Sequence, residues 1–244
     1  MLVAAAVCPH PPLLVPEVAG AAAPELASVR AACGEAVRRV LASRPELIVI
    51  VGAGPRTVSY GRDAAGSLAG YGVAVRVGDS AAGEPVLPPS LTVGRWLLEE
   101  FRPPGVEGIE VLPYGIDAGA GPQDCLRLGT TLAGRAGRVG MLAMGDGSAR
   151  RSTTAPGQVD ERAYDFDASV AGALAEGDAH ALARLDAGLA DELAVAGRPA
   201  WQVLAGAAGE TRFRAELLAD AAPYGMAYLV AVWLAAGPPS SPWP

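Results

Sequence analysis

"LVAAAVCPHPPLLVPE", residues 2–17, decides how the chain is read. Residues 2–7 are small or branched and apolar without interruption, the pattern of a strand buried on both faces. The run then meets a histidine held between prolines. Proline fixes φ and removes a backbone donor, so the segment cannot continue in the interior of a sheet. His10 is therefore expected just beyond the carboxyl end of a buried strand, where open α/β sheets usually bind ligands. A buried histidine satisfied by a backbone carbonyl is the competing reading, and the residues alone leave both open.

Further along, short apolar runs alternate with helical patterns. "PELASVRAACGEAVRRVL" (24–41) has Pro24 in its first turn and apolar residues Leu26, Val29, Cys33, Val37 and Val40 at helical spacing. "ELIVIVG" (46–52) is a second buried strand, "VAVRV" (73–77) a third, and "SLTVGRWLLEEF" (90–101) a helix with Ser90 as N-cap. Then follow strand "IEVLPYG" (109–115), helix "PQDCLRLGTTLA" (122–133) and strand "VGMLAMG" (139–145). A polar loop over 146–160 leads into helices from about 163 to 221, and "YGMAYLVAVWL" (224–234) closes as a strand. Interleaving of this kind predicts one α/β domain, residues 1–237, with a mostly buried central sheet flanked by helices on both faces. Residues 238–244, "PPSSPWP", read as a loose tail.

Composition narrows the functions. Half of the 244 residues are hydrophobic, enough for a sizeable core. The net charge of −7 argues against nucleic acid or an anionic membrane as the main partner. All 19 basic side chains are arginine, which excludes chemistry that needs a lysine amine. Cys8, Cys33 and Cys125 are widely spaced, in no metal-binding or redox motif, and read as free buried thiols of a reducing, cytoplasmic compartment. No apolar stretch reaches the roughly 20 residues that a membrane helix needs.

Two other stretches invite chemistry. "IVIVGAGPRT" suggests a dinucleotide loop, yet Thr57 stands at the third glycine position and Pro55 interrupts the turn. A tight strand-to-loop turn accounts for it better. "MGDGSARRSTTAPG" (144–157) places Asp146 and Ser148 on a glycine-loosened turn as candidate catalytic groups, with Arg150 and Arg151 just beyond. An arginine pair can clasp a carboxylate or phosphate in a fork; solvated charges on a loop are the bland alternative.

Taken together, "AVCPHPPLLVPE" (6–17), "AMGDGSARR" (143–151), the late helical run 174–208 and "PYGMAYLV" (223–230) resemble the class III extradiol ring-cleavage dioxygenases and the related Memo-like proteins. The resemblance covers most of the chain loosely and rests on the order of these motifs. It implies an oxidoreductase that holds non-haem Fe(II) with two histidines and a carboxylate, and it implies a further histidine as acid/base. Carried over by position, His10 matches the first iron-binding histidine. The second is expected after strand two, where this chain reads "GAGP". The acid/base histidine is expected where Ala149 closes "GDGSA", and the late carboxylate near 194–199, where Glu192 is the nearest acid. His180, in "GDAHALARL", reads as a surface helix residue behind an N-cap Asp178.

The expectation is thus a divergent dioxygenase-like protein whose iron set is incomplete. It would bind a small polar or anionic molecule at His10, Arg56, Asp146 and Arg150, with no cofactor. Three alternatives stay open: an active Fe(II) enzyme with rearranged ligands, a non-catalytic interaction protein to whose self-association Trp201 and Trp233 would contribute unless, as their character favours, both lie in the core, and nucleotide binding. A homodimer is compatible with each.

Overall fold

The computed structural model describes residues 1–78, 83–152 and 158–236. The expected tail and part of the 146–160 loop lie outside them. The first half of the chain carries β1 (Leu2–Cys8), α1 (Pro16–Ala19), α2 (Ala27–Ala42), β2 (Leu47–Gly54), β3 (Val58–Ser59), β4 (Gly66–Ser67), β5 (Arg76–Val77), α3 (Pro89–Glu100) and β6 (Glu110–Asp117). The second half carries α4 (Pro122–Ala133), β7 (Val139–Met144), α5 (Arg162–Glu176), α6 (Ala179–Ala183), α7 (Ala187–Glu192), α8 (Arg198–Ala208), β8 (Phe213–Ala221) and β9 (Tyr228–Ala235).

Seven strands form one mixed sheet in the order β3-β6-β2-β7-β1-β9-β8. The four inner strands β6, β2, β7 and β1 run parallel, and β9 turns antiparallel against β1. Strands β1 and β7 are buried along their whole length, because helices cover both faces. On one face Leu2, Val49, Met141 and Trp233 pack with α4, α5 and α8, among them Leu132, Val170 and Trp201. On the other, Ala4, Ile50, Leu142 and Val232 pack against α2 and α3, including Val37 and Leu97. Alternate residues of a strand serve opposite cores, which is why these strands read as unbroken apolar runs.

Four expectations are corrected. Helix α2 begins at Ala27, because Pro24 lies in a preceding 3-10 turn, Gly20–Leu26. Residues 73–77 supply only the two-residue β5, which pairs with β4 outside the main sheet. Ser90 is not an N-cap: Pro88 takes the extended capping conformation, and Ser90 Oγ instead donates to the Ala53 carbonyl at 2.5 Å. The helical stretch ends at Ala208, and residues 213–221 form β8, paired with β9 on either side of a register shift at Leu218.

Buried polar side chains tie the helical layer down. Arg198, 1% exposed, donates to the carbonyls of Ala118 and Ala120, each at 2.8 Å, and to Gln202 Oε1 at 3.1 Å. Trp233 Nε1 donates to Leu174 O at 2.8 Å, fastening β9 to α5. Each buried donor satisfied in this way avoids a desolvation cost of about 1–3 kcal/mol.

Candidate functional site

The parallel strands β1 and β7 end side by side, and the loops that leave them meet. Gly145 N–H donates to Cys8 O at 2.9 Å, carrying the pairing one residue past β7. The next residue, Asp146, is 4% exposed, and its Oδ1 accepts the backbone N–H of His10 at 2.8 Å. The prolines at 9, 11 and 12 explain why that amide is available: their bend takes residue 10 out of the ladder and leaves its N–H without a strand partner.

The imidazole of His10 stays beside the same carboxylate. Nδ1 lies 3.9 Å from Asp146 Oδ1, too far for a hydrogen bond, and it is buried without a partner. A buried orphan nitrogen beside a buried carboxylate is costly unless something bridges them. Tyr228, at the start of β9, completes the corner: burial, followed by the Asp146 carboxylate and Tyr224, pushes its phenol well above the usual range. Burial and a hydrogen bond with Glu25 also raise Tyr224. Beneath them Cys33 is raised by burial, by its contact with the Cys8 thiol and by Asp146, so the Cys33 thiol stays protonated and inert.

The remaining expected site residues lie apart from this corner. Ser148 is fully buried, and its Oγ and N–H donate to Asp167 at 2.5 and 2.9 Å. Arg151 Nε stands 3.0 Å from the same carboxylate, and its guanidinium lies 5.6 Å over the Tyr164 ring. Ser148 thus anchors the loop after β7 to α5. Arg150 is half-buried, its Nε has no partner, and its carbonyl accepts Asp160 N–H at 3.0 Å. Arg56 is exposed on the turn between β2 and β3, with β7 standing between its strand and that of His10. Five clefts among the described residues are lined without His10.

The residues present do not fit a two-histidine, one-carboxylate iron site. At the place of the second histidine, a Cβ on Gly52 would stand 2.9 Å from Ser90 Oγ and 3.1 Å from Met144 Cβ, so even an alanine needs its neighbours to shift. Ala149 is buried, and its N–H donates to Leu193 O. Glu192 points outward to Arg162 at 2.8 Å. His180 lies in the exposed first turn of α6, behind an Asp178 cap, 3.9 Å from Glu210. Among the described residues no three His, Cys, Asp or Glu side chains converge as a metal-holding group. Nor does a helix follow β2 to receive a pyrophosphate; the chain continues into β3.

Sequence reasoning reaches His10 and Asp146 through their strand-end positions but misses Tyr228 and Asp167. Tyr228 is visible as the polar-tipped residue opening the last apolar run. Asp167 carries no signal, since it lies in the middle of an amphipathic helix.

No protein-family model matches the chain, and no curated protein matches it by sequence. Among solved structures, the fold is similar to that of an uncharacterized protein from Escherichia coli K12, with a TM-score of 0.55 and 15% identity. The match covers 95% of this chain and 99% of that one. At this identity the likeness shows the shared fold alone. Among the described residues no helix is long and apolar enough to cross a membrane.

Proposed function

We propose that the chain is a divergent relative of the class III extradiol dioxygenases that has lost the iron set and binds a small polar molecule at the His10–Asp146 corner. One observation carries this reading: the unpartnered Nδ1 of His10, 3.9 Å from Asp146 Oδ1 at the carboxyl end of two parallel strands. A hydroxyl or amino group set between them would donate to the carboxylate and meet the imidazole, satisfying both. Tyr228 supplies a neutral phenol as a third polar contact, kept protonated by its burial. Arg56 and Arg150 act at most from the rim in this reading, steering an anionic ligand through long-range attraction. The three unpaired buried thiols support a reducing, cytoplasmic setting, and the acidic net charge supports a small molecule over nucleic acid or membrane.

Anaerobic titration of the purified protein with ferrous iron, followed by calorimetry and by oxygen uptake with a panel of catechols, tests the loss of iron. The expected result is no saturable metal site and no uptake. Tight one-to-one binding of iron would overturn the reading and favour the rearranged metalloenzyme. A screen of small polyols, amines and hydroxy acids by ligand-observed NMR tests the binding half. Hits that vanish in His10→Ala are expected, and hits unaffected by that change would count against this corner.

A further inference from the structure

At the opposite end of the sheet lies a groove that the His10 corner does not use. It has a volume of about 490 Å³ and runs between the last turn of α2 and the ends of β1 and β9. Val3, Ala42, Leu234 and Ala235 form an apolar floor. Arg39, Arg138 and Arg214 rim it, with no carboxylate in its wall. A second recess of about 310 Å³ continues it over β8, shares Arg39, Arg214 and Leu234, and carries Glu216 in its wall. Strand register explains the arrangement. Arg214 sits directly opposite Leu234, and Glu216 opposite Val232, so all four side chains rise from the α2 face of the sheet.

The three arginines differ in what already holds them. Arg138 donates to the carbonyls of Ser43 and Arg44, which close the end of α2. Arg39 holds Glu35 at 2.7 Å and Glu216 at 2.5 Å. Arg214 is exposed and makes no side-chain hydrogen bond or ion pair among the described residues. In a chain of net charge −7, the described wall of this groove carries three guanidinium groups and no carboxylate; Glu35 and Glu216 offset Arg39 from beside it, which leaves Arg214 as the unneutralised guanidinium.

We propose that this groove binds a small organic anion with an apolar stem, of the medium-chain carboxylate class. The free fork of Arg214 takes the carboxylate. The stem lies over Val3, Ala42 and Leu234. The volume lies in the range of small-molecule sites, and each half of the ligand meets the surface that suits it.

Calorimetric titration with octanoate, beside 1-octanol and inorganic phosphate, tests this. Saturable one-to-one octanoate binding is expected, with both controls at least about tenfold weaker. Arg214→Ala should weaken octanoate at least about tenfold with an unchanged melting temperature, and Arg214→Lys should weaken it less. His10→Ala should leave it unchanged. Absence of saturable binding overturns the proposal, as does equal binding of either control or an Arg214→Ala variant that binds like the parent. Loss of octanoate binding in His10→Ala would move the ligand to the other end of the sheet and overturn it as well.

Discussion

Two buried carboxylates stand near the end of β7, and they are treated in opposite ways. Asp167 is fully buried and surrounded by donors: Ser148 N–H, Ser148 Oγ and the Arg151 guanidinium. Asp146 is nearly as buried, yet its one protein hydrogen bond among the described residues is from the His10 amide, and the nearby imidazole nitrogen is left without a partner. In the first arrangement Ser148 donates twice to the carboxylate and Arg151 pairs with it as an ion, although Arg151 Nε makes no well-aligned hydrogen bond, and the loop after β7 is pinned to α5. The second is open. Buried polar groups that complete one another hold a fold together, whereas the His10–Asp146 pair leaves a buried ring nitrogen unanswered among the described residues.

The comparison can be broken by mutation. Asp167→Ala leaves two Ser148 donors unanswered and Arg151 with only Asp220, 3.5 Å from its Nη1, and the Tyr164 ring, and a loss of about 3 kcal/mol in urea unfolding is expected. A loss below about 1 kcal/mol would mean the cluster is not structural. Asp146→Asn keeps an acceptor for the His10 amide, so about 1 kcal/mol is expected from the same measurement. A cost equal to that of Asp167→Ala would make the two sites alike. His10→Ala should cost less again, about 0.5 kcal/mol, because its ring nitrogen holds nothing in the free protein. Thermal unfolding that drops as far as for Asp167→Ala would recast His10 as a core residue.

The subtlest test is one of sign. Burial raises the Asp167 carboxyl above its ordinary value, against the pull of Ser148 and Arg151. Between the unfolded and the folded pKa, the folded chain keeps a proton that the unfolded chain has released. This group's contribution to stability therefore grows as pH falls through the folded value, and it levels off below the unfolded one, near about 3.9. Measured against Asp167→Asn, whose side chain does not titrate, the parent chain should gain stability as pH falls from neutral toward the ordinary carboxyl range. A decline over that window would show that the donors outweigh burial.

Which parts can be read in advance follows from how local their causes are. The inner strands declare themselves by composition, since a strand covered on both sides must be apolar: β1 and β7 along their whole length, β2 and β6 over most of theirs. Strand β8 reads as helix because Ala, Leu and Glu favour helices, although Arg214, Ala215, Glu216 and Leu217 alternate between exposed and half-buried. Its conformation is imposed by the neighbouring β9, a tertiary cause. His10 and Asp146 are legible because proline and glycine mark strand ends. Their approach to each other is not, since it depends on β1 and β7 lying adjacent across 136 residues of chain. Arg56 groups with them only by its position after a strand, and the strand order inserts β7 between.

Helices α4 and α8 meet through glycine. A methyl group on Gly129 would drive into the Val203 carbonyl, and one on Gly206 into that of Leu126, so the two backbones touch directly. The front of α8 begins at Gly197, whose N–H donates to Asp146 O at 2.8 Å. The helix therefore links the glycine contact in its body to the backbone of the carboxylate residue at its start. Thickening that contact by one carbon would shift the helix start, and Asp146 would be displaced by a change made nowhere near it.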